Sequence, residues 1–73
     1  MDNMNAKIGS VLRKHRKQKR MSMQEVADRL HVTKTAVHYW ESGKRSIYAD
    51  QMLDFCDVIG LDPQQLVIEV MED

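Results

Sequence analysis

Few side chains in this 73-residue chain could ligate a metal or break a bond, and they are scattered. His15, His31 and His38 follow no metal-ligand spacing, and no cysteine or carboxylate cluster stands beside them. No Ser-His-Asp arrangement, phosphate-cradling glycine loop or pair of catalytic carboxylates occurs. Asp50, Asp54 and Asp57 recur at the helical period and read as a solvated acidic face. Cys56 is the only cysteine, which excludes an intramolecular disulfide. It lies on the apolar side of a helical pattern and reads as a buried structural thiol. The residues point away from an enzyme, and no metal or cofactor is expected. What remains is a set of hydrogen-bonding side chains with four cations, Arg29, Lys34, Lys44 and Arg45, between Ser22 and Arg45, suited to a polyanion.

The charge distribution agrees. A formal net charge of +0 hides a sharp division: residues 1–45 hold all eleven Lys and Arg against four acids, a net of +7. Residues 46–73 hold seven acids and no Lys or Arg. The overall charge alone argues against a polyanion partner, whereas the distribution argues for one.

Size and composition bound the elements that must position these groups. Seventy-three residues suffice for one domain, 1–73, with a modest core that gains from oligomerisation. Hydrophobic residues make up 42% of the chain, with only three Gly and one Pro to interrupt it, and long β-branched runs are missing before the last few residues. An all-α fold, a compact five-helix domain, is expected. No secretory signal and no run near the length of a membrane span is visible, so a cytoplasmic, nucleoid-associated location is expected.

The first helix is expected from about Asn5 to Gln18, with Ile8, Val11, Leu12 and His15 on one stripe and Lys7, Arg13, Lys14 and Lys17 outward. Ser22 with Glu25 three residues on forms a capping box for the second helix, which turns Val26, Ala27 and Leu30 inward. His31 and Val32 make a tight break. Thr33 caps the third helix, which runs to about Ser42 with Val37 and Trp40 inward and a small Ala36 where helices approach. Gly43 ends it, as the residue type that best adopts positive φ. Two short helices about a tight break, the second followed by Gly and two cations, have the layout of a helix-turn-helix. A fourth helix begins between Ser46 and Asp50 and carries Met52, Leu53, Cys56 and Ile59, widened by Phe55 and Val58, to a stop at Gly60. Asp62, Pro63 and Gln65 mark the start of a fifth, as cap, first-turn proline and capping-box partner.

The run Ser22-Met23-Gln24-Glu25-Val26-Ala27, then Leu30, Val32-Thr33-Lys34, Val37 and Trp40-Glu41-Ser42-Gly43-Lys44-Arg45, resembles the phage-repressor and Cro-like helix-turn-helix family. A five-helix domain of that family would span about Lys7 to Met71. The resemblance implies that the third helix reads double-stranded DNA, with Lys34, Thr35, Ala36, His38 and Tyr39 at or near base edges. The residue types suit this. Lys34 can donate to guanine O6 or N7, or to a phosphate. Thr35 and Ala36 offer methyls to thymine, and the Tyr39 hydroxyl can reach a base or the backbone.

The resemblance also implies phosphate contacts from Ser22, Met23, Gln24, Thr33, Ser42, Lys44 and Arg45, through unpaired N–H groups at the start of the second helix and through side-chain charge. It implies a structural ion pair between Arg16 and Glu41. Three residues depart from the family pattern. Met23 stands where a phosphate-holding Gln is usual, His31 where the turn has Gly, and Ile47 where Pro is common. His31 must then take a positive φ despite its side chain.

Short family members bind two-fold symmetric operators as dimers, which implies a homodimer here. Leu66, Val67, Val70 and Met71 are expected to share a core-covering face of the fifth helix. Ile68 lies about 200° round from Leu66 and is a candidate dimer contact, with Met71 and Ile47 or Tyr48 beside it. The β-branched run Leu66–Val70 leaves a second possibility, a strand pairing with another subunit. Two functions follow: a sequence-specific DNA-binding regulator, a repressor or a self-repressing antitoxin, or a protein-interaction module that uses the same fold to bind a regulatory protein.

Overall fold

The computed structural model describes residues 4–72. Its five helices are α1 (Met4–Gln18), α2 (Met23–Leu30), α3 (Lys34–Ser42), α4 (Ala49–Ile59) and α5 (Pro63–Met71). The described residues contain no strand, so the run Leu66–Val70 is helical. The architecture is all-α, with the helix-turn-helix at α2 and α3.

Local chemistry sets the helix boundaries. Ser22 holds extended backbone; its Oγ accepts the Glu25 N–H at 3.0 Å while the Glu25 carboxylate accepts the Ser22 N–H at 2.9 Å. Thr33 Oγ1 accepts the Ala36 N–H at 3.0 Å and starts α3. Before α4, Gln51 Oε1 accepts the Tyr48 N–H at 3.3 Å. Asp62 accepts the Gln64 N–H at 2.8 Å, and Pro63 opens α5 with no N–H to lose. Gln65, expected to complete that cap, instead donates to Glu69 at 2.8 Å.

Each helix contributes to one apolar core: Val11 and Leu12, Val26 and Ala27, Val37 and Trp40, Phe55, Cys56 and Ile59, then Leu66 and Val70. Trp40 meets Phe55 edge-on, with ring centroids 6.4 Å apart. Helix α1 packs against α3, α4 and α5, and α2 packs against α3 and α4. Burial raises the Cys56 thiol pKa above its ordinary value, with the Asp62 charge adding to the effect.

Three expected core residues are corrected. Leu53 is 49% exposed, because the inward line of α4 runs through Phe55, Cys56 and Ile59. Val67 and Met71 are 56% and 70% exposed. Leu66 and Val70, one turn apart, already fill the line of α5 that faces the core, and residues one step round the helix fall at its rim.

The α1–α3 crossing is very close. A Cβ on Gly9 would lie 2.3 Å from the Trp40 carbonyl oxygen and 2.5 Å from that of Glu41. Two turns along α1 from Gly9, Arg16 reaches the Glu41 side chain. At the other side of α1, the Glu69 carboxylate of α5 takes hydrogen bonds from Lys14, Gln65 and His15, the last at 3.0 Å. These contacts, with Lys14 foremost and Gln65 and His15 after it, hold the Glu69 carboxyl at a pKa of about 2, below its ordinary 4.5.

Candidate nucleic-acid interface

The break between α2 and α3 is three residues long, and its shape depends on His31. That residue takes φ 58° and ψ 42°, a left-handed conformation in which ordinary residues are strained but His is comparatively common. The chain then folds back so that the Val32 N–H reaches the Ala27 carbonyl at 3.0 Å, and Thr33 begins the next helix. Arg20 (φ 58°) turns the chain in the same way between α1 and α2.

Helix α3 is anchored on one side and open on the other. Val37, Trp40 and Glu41 are buried, while Lys34, Thr35, His38 and Ser42 are exposed. Ala36 is half-buried and packs against the core, so its methyl lies at the margin of the open face. Tyr39 is half-buried too. Its ring meets His38 with centroids 5.9 Å apart, and Arg45 and Lys44 place their cations 5.1 Å and 6.0 Å from its centre.

The anchor is ionic as well as apolar. Arg16 Nε and Nη2 donate to the two Glu41 oxygens at 2.6 Å and 2.9 Å, and Nη1 donates to the Met21 carbonyl at 2.7 Å. The two side chains are 7% and 2% exposed. A two-pronged, planar match of this kind fixes orientation as well as distance. It ties α3 to α1 and, through Met21, to the segment that leads into α2.

The expected phosphate-contacting residues divide by how far they are already engaged. The Ser22 N–H is held by Glu25 rather than unpaired, which corrects the sequence expectation for that group. The Met23 and Gln24 N–H groups remain at the open end of α2, and the Gln24 side chain donates to Asp28 at 2.9 Å. Met23 is half-buried against the core. The Ser42 hydroxyl donates to the Tyr39 carbonyl at 3.3 Å. Lys34, Lys44 and Arg45 are exposed and have no acidic partner among the described residues.

In the sequence, Arg13 stands out only as one of the cations on the outward face of α1. It lines an open groove of about 310 Å³ with Met23, His38, Glu41 and Ser42, between α1 and the helix-turn-helix. The cation thus stands at the edge of the face formed by α3 and the start of α2. Only the close α1–α3 crossing puts it there, and the one sequence signal for that crossing is a glycine inside a helical pattern. Of the expected dimer contacts, Tyr48, Ile68 and Met71 are 72%, 51% and 70% exposed, whereas Ile47 is half-buried and packs against the core.

A capped helix, a left-handed turn and a second helix with one buried and one open polar face define a helix-turn-helix of the DNA-binding class. The family model for the helix-turn-helix domain matches residues 7–67, and the chain belongs to that family. Two crystal structures of the clp gene regulator ClgR from Corynebacterium glutamicum share the fold. One is 21% identical with a TM-score of 0.88, covering 92% of this chain and 71% of that one. The other is 20% identical with a TM-score of 0.90, covering 96% of this chain and 91% of that one. No curated protein sequence matches. Among the described residues no helix is long and apolar enough to cross a membrane.

Proposed function

We propose that the chain is a sequence-specific transcription regulator, a cytoplasmic repressor that binds a palindromic operator as a homodimer with α3 in the major groove. Its 73 residues act as one DNA-binding domain. The observation that carries this reading is the two-sidedness of α3: Val37, Trp40 and the ion-paired Glu41 hold it, while Lys34, Thr35 and His38 project freely. These three supply donors and a methyl for base edges, with Ala36 and Tyr39 at the margins. Met23 and Gln24 (through N–H groups), Thr33, Ser42, Lys44 and Arg45 contact the backbone and fix register. The regulatory role named for ClgR accords with this reading.

Exposed Tyr48, Ile68 and Met71 are the proposed dimer contacts, with half-buried Ile47 next to Tyr48 in the chain. The exposed apolar residues of α5, Val67, Ile68 and Met71, favour a second reading, a module that binds a regulatory protein.

A salt titration of duplex binding by fluorescence anisotropy tests the proposal. If each subunit neutralises on the order of five phosphates, log K falls with log salt at a slope of about −4 to −5 per subunit. Lys44→Ala weakens every duplex alike and reduces the slope by about 1, whereas Lys34→Ala relaxes base preference. Binding that ignores salt, or no binding at low salt, contradicts the DNA reading and leaves the protein-interaction one.

A further inference from the structure

Tyr39 occupies a position where a base-reading role and a supporting role are both chemically open, and its surroundings distinguish them. The ring is half-buried, and two cations lie over it, the Arg45 guanidinium carbon at 5.1 Å and Lys44 Nζ at 6.0 Å from its centre. Both lie within the range at which an aromatic face attracts a cation, about 6 Å. The Tyr39 carbonyl organises the same segment. It accepts the Lys44 N–H at 3.0 Å, the Arg45 N–H at 3.4 Å and the Ser42 hydroxyl at 3.3 Å. One residue thus holds the backbone and both charged heads of the segment after α3.

That arrangement gathers two like charges on one ring. Neither cation has an acidic partner among the described residues, so their mutual repulsion is relieved only by solvent or by an added anion. A side chain that merely filled space would not bring them together. A ring that attracts both holds them ready for an anion carried by the ligand.

We propose that Tyr39 is a positioning residue whose ring gathers Lys44 and Arg45 into a two-cation clamp for a phosphate of the DNA backbone. This rests on the DNA-binding reading and gives its backbone contacts a specific organiser. The ring, not the hydroxyl, is the working part, and its effect reaches DNA through Lys44 and Arg45.

The test combines ring variants with the loss of one cation, using the full chain and two duplexes, one selected by the protein and one of random sequence. Tyr39→Leu is expected to weaken both duplexes by a similar factor, about five- to tenfold, and to flatten the salt dependence. Tyr39→Phe keeps the ring and is expected to restore the salt dependence that Tyr39→Leu flattens, on both duplexes alike. In an Arg45→Ala background, Tyr39→Leu has a much smaller effect than in wild type, because the group it positions is gone. Additive losses, or a Tyr39→Phe loss confined to the selected duplex, overturn the clamp and make the hydroxyl a base reader.

Proton NMR of the free wild-type protein checks the geometry without relying on any variant's folding. Ring-current shifts on the Arg45 side-chain methylenes support the clamp, and random-coil shifts overturn it. If wild type binds neither duplex at low salt, the DNA reading falls together with the clamp. If wild type binds and the losses are additive, only the clamp falls.

Discussion

The Arg16–Glu41 pair shows why a buried charge can be structural. Each guanidinium N–H that faces inward has a carboxylate or carbonyl oxygen to bond, so neither ion is left uncompensated in the core. Arg16→Met leaves the Glu41 carboxylate buried alone and is expected to destabilise the fold by roughly 3–5 kcal/mol in denaturant titration. Replacing both partners, Arg16→Met with Glu41→Leu, is expected to cost less than the single change. A double variant less stable than the single one would mean that the pair itself holds α1 to α3. The pair was legible only through the resemblance, since Arg16 reads as one more cation on a basic helix. Of the partners of Glu69, Lys14 and His15 were not legible, because those contacts join residues 55 and 54 positions apart and depend on how α5 docks, whereas Gln65 lies one helical turn away.

Helix boundaries were the most legible feature, because each is set by residues within three or four positions. Ser22 with Glu25, Thr33, Gly43 and Pro63 all act where local chemistry places them. Facing was harder. Leu53, Val67 and Met71 carry apolar side chains at core-compatible spacing, and only the packed neighbours decide that Phe55, Leu66 and Val70 fill those places.

Gly9 was unread for the same reason. On helix propensity alone, Gly9→Ala stabilises by about 1 kcal/mol. The added Cβ, however, would sit 2.3 Å from a backbone oxygen of α3, which cannot swing aside as a side-chain tip would. Overpacking of about 1–3 kcal/mol wins. Gly9→Ala is therefore expected to lower the thermal midpoint; a raised midpoint would show that the crossing relaxes freely.

Helices α5 and α1 are joined by the Glu69 cluster, which gives the fold an acid-sensitive contact. The folded Glu69 pKa is depressed to about 2 from 4.5, so its contribution is complete above about pH 4.5 and is lost as pH falls toward 2. Thermal midpoints measured from pH 6 down to pH 2 should fall less steeply for Glu69→Gln than for wild type, with the difference arising between pH 4.5 and 2. Parallel curves would show that the carboxylate gains nothing from Lys14, Gln65 and His15 on folding.

At the scale of the whole molecule, the division of charge along the chain becomes a division between elements. The cations lie in α1, the helix-turn-helix and the segments that flank it, while α4, α5 and the loop between them carry acids and no Lys or Arg. The helix-turn-helix suits a duplex, and α5 carries exposed Val67, Ile68 and Met71. A body of 31 × 22 × 20 Å is small enough for two copies to present their α3 helices about one DNA turn apart, roughly 34 Å. The sequence separated the charges plainly, since they divide at one point in the chain. It did not show which exposed apolar residues share a surface, because that depends on how α5 turns against α1.

Selection of bound duplexes from a random DNA pool at moderate salt, followed by sequencing, tests the central claim most directly. Enrichment of an inverted repeat with half-sites about one helical turn apart is the expected result, and its inner bases should change in the Lys34→Ala protein. Recovery of no common sequence, with duplexes retained or not, would contradict a dimeric protein that reads bases through α3.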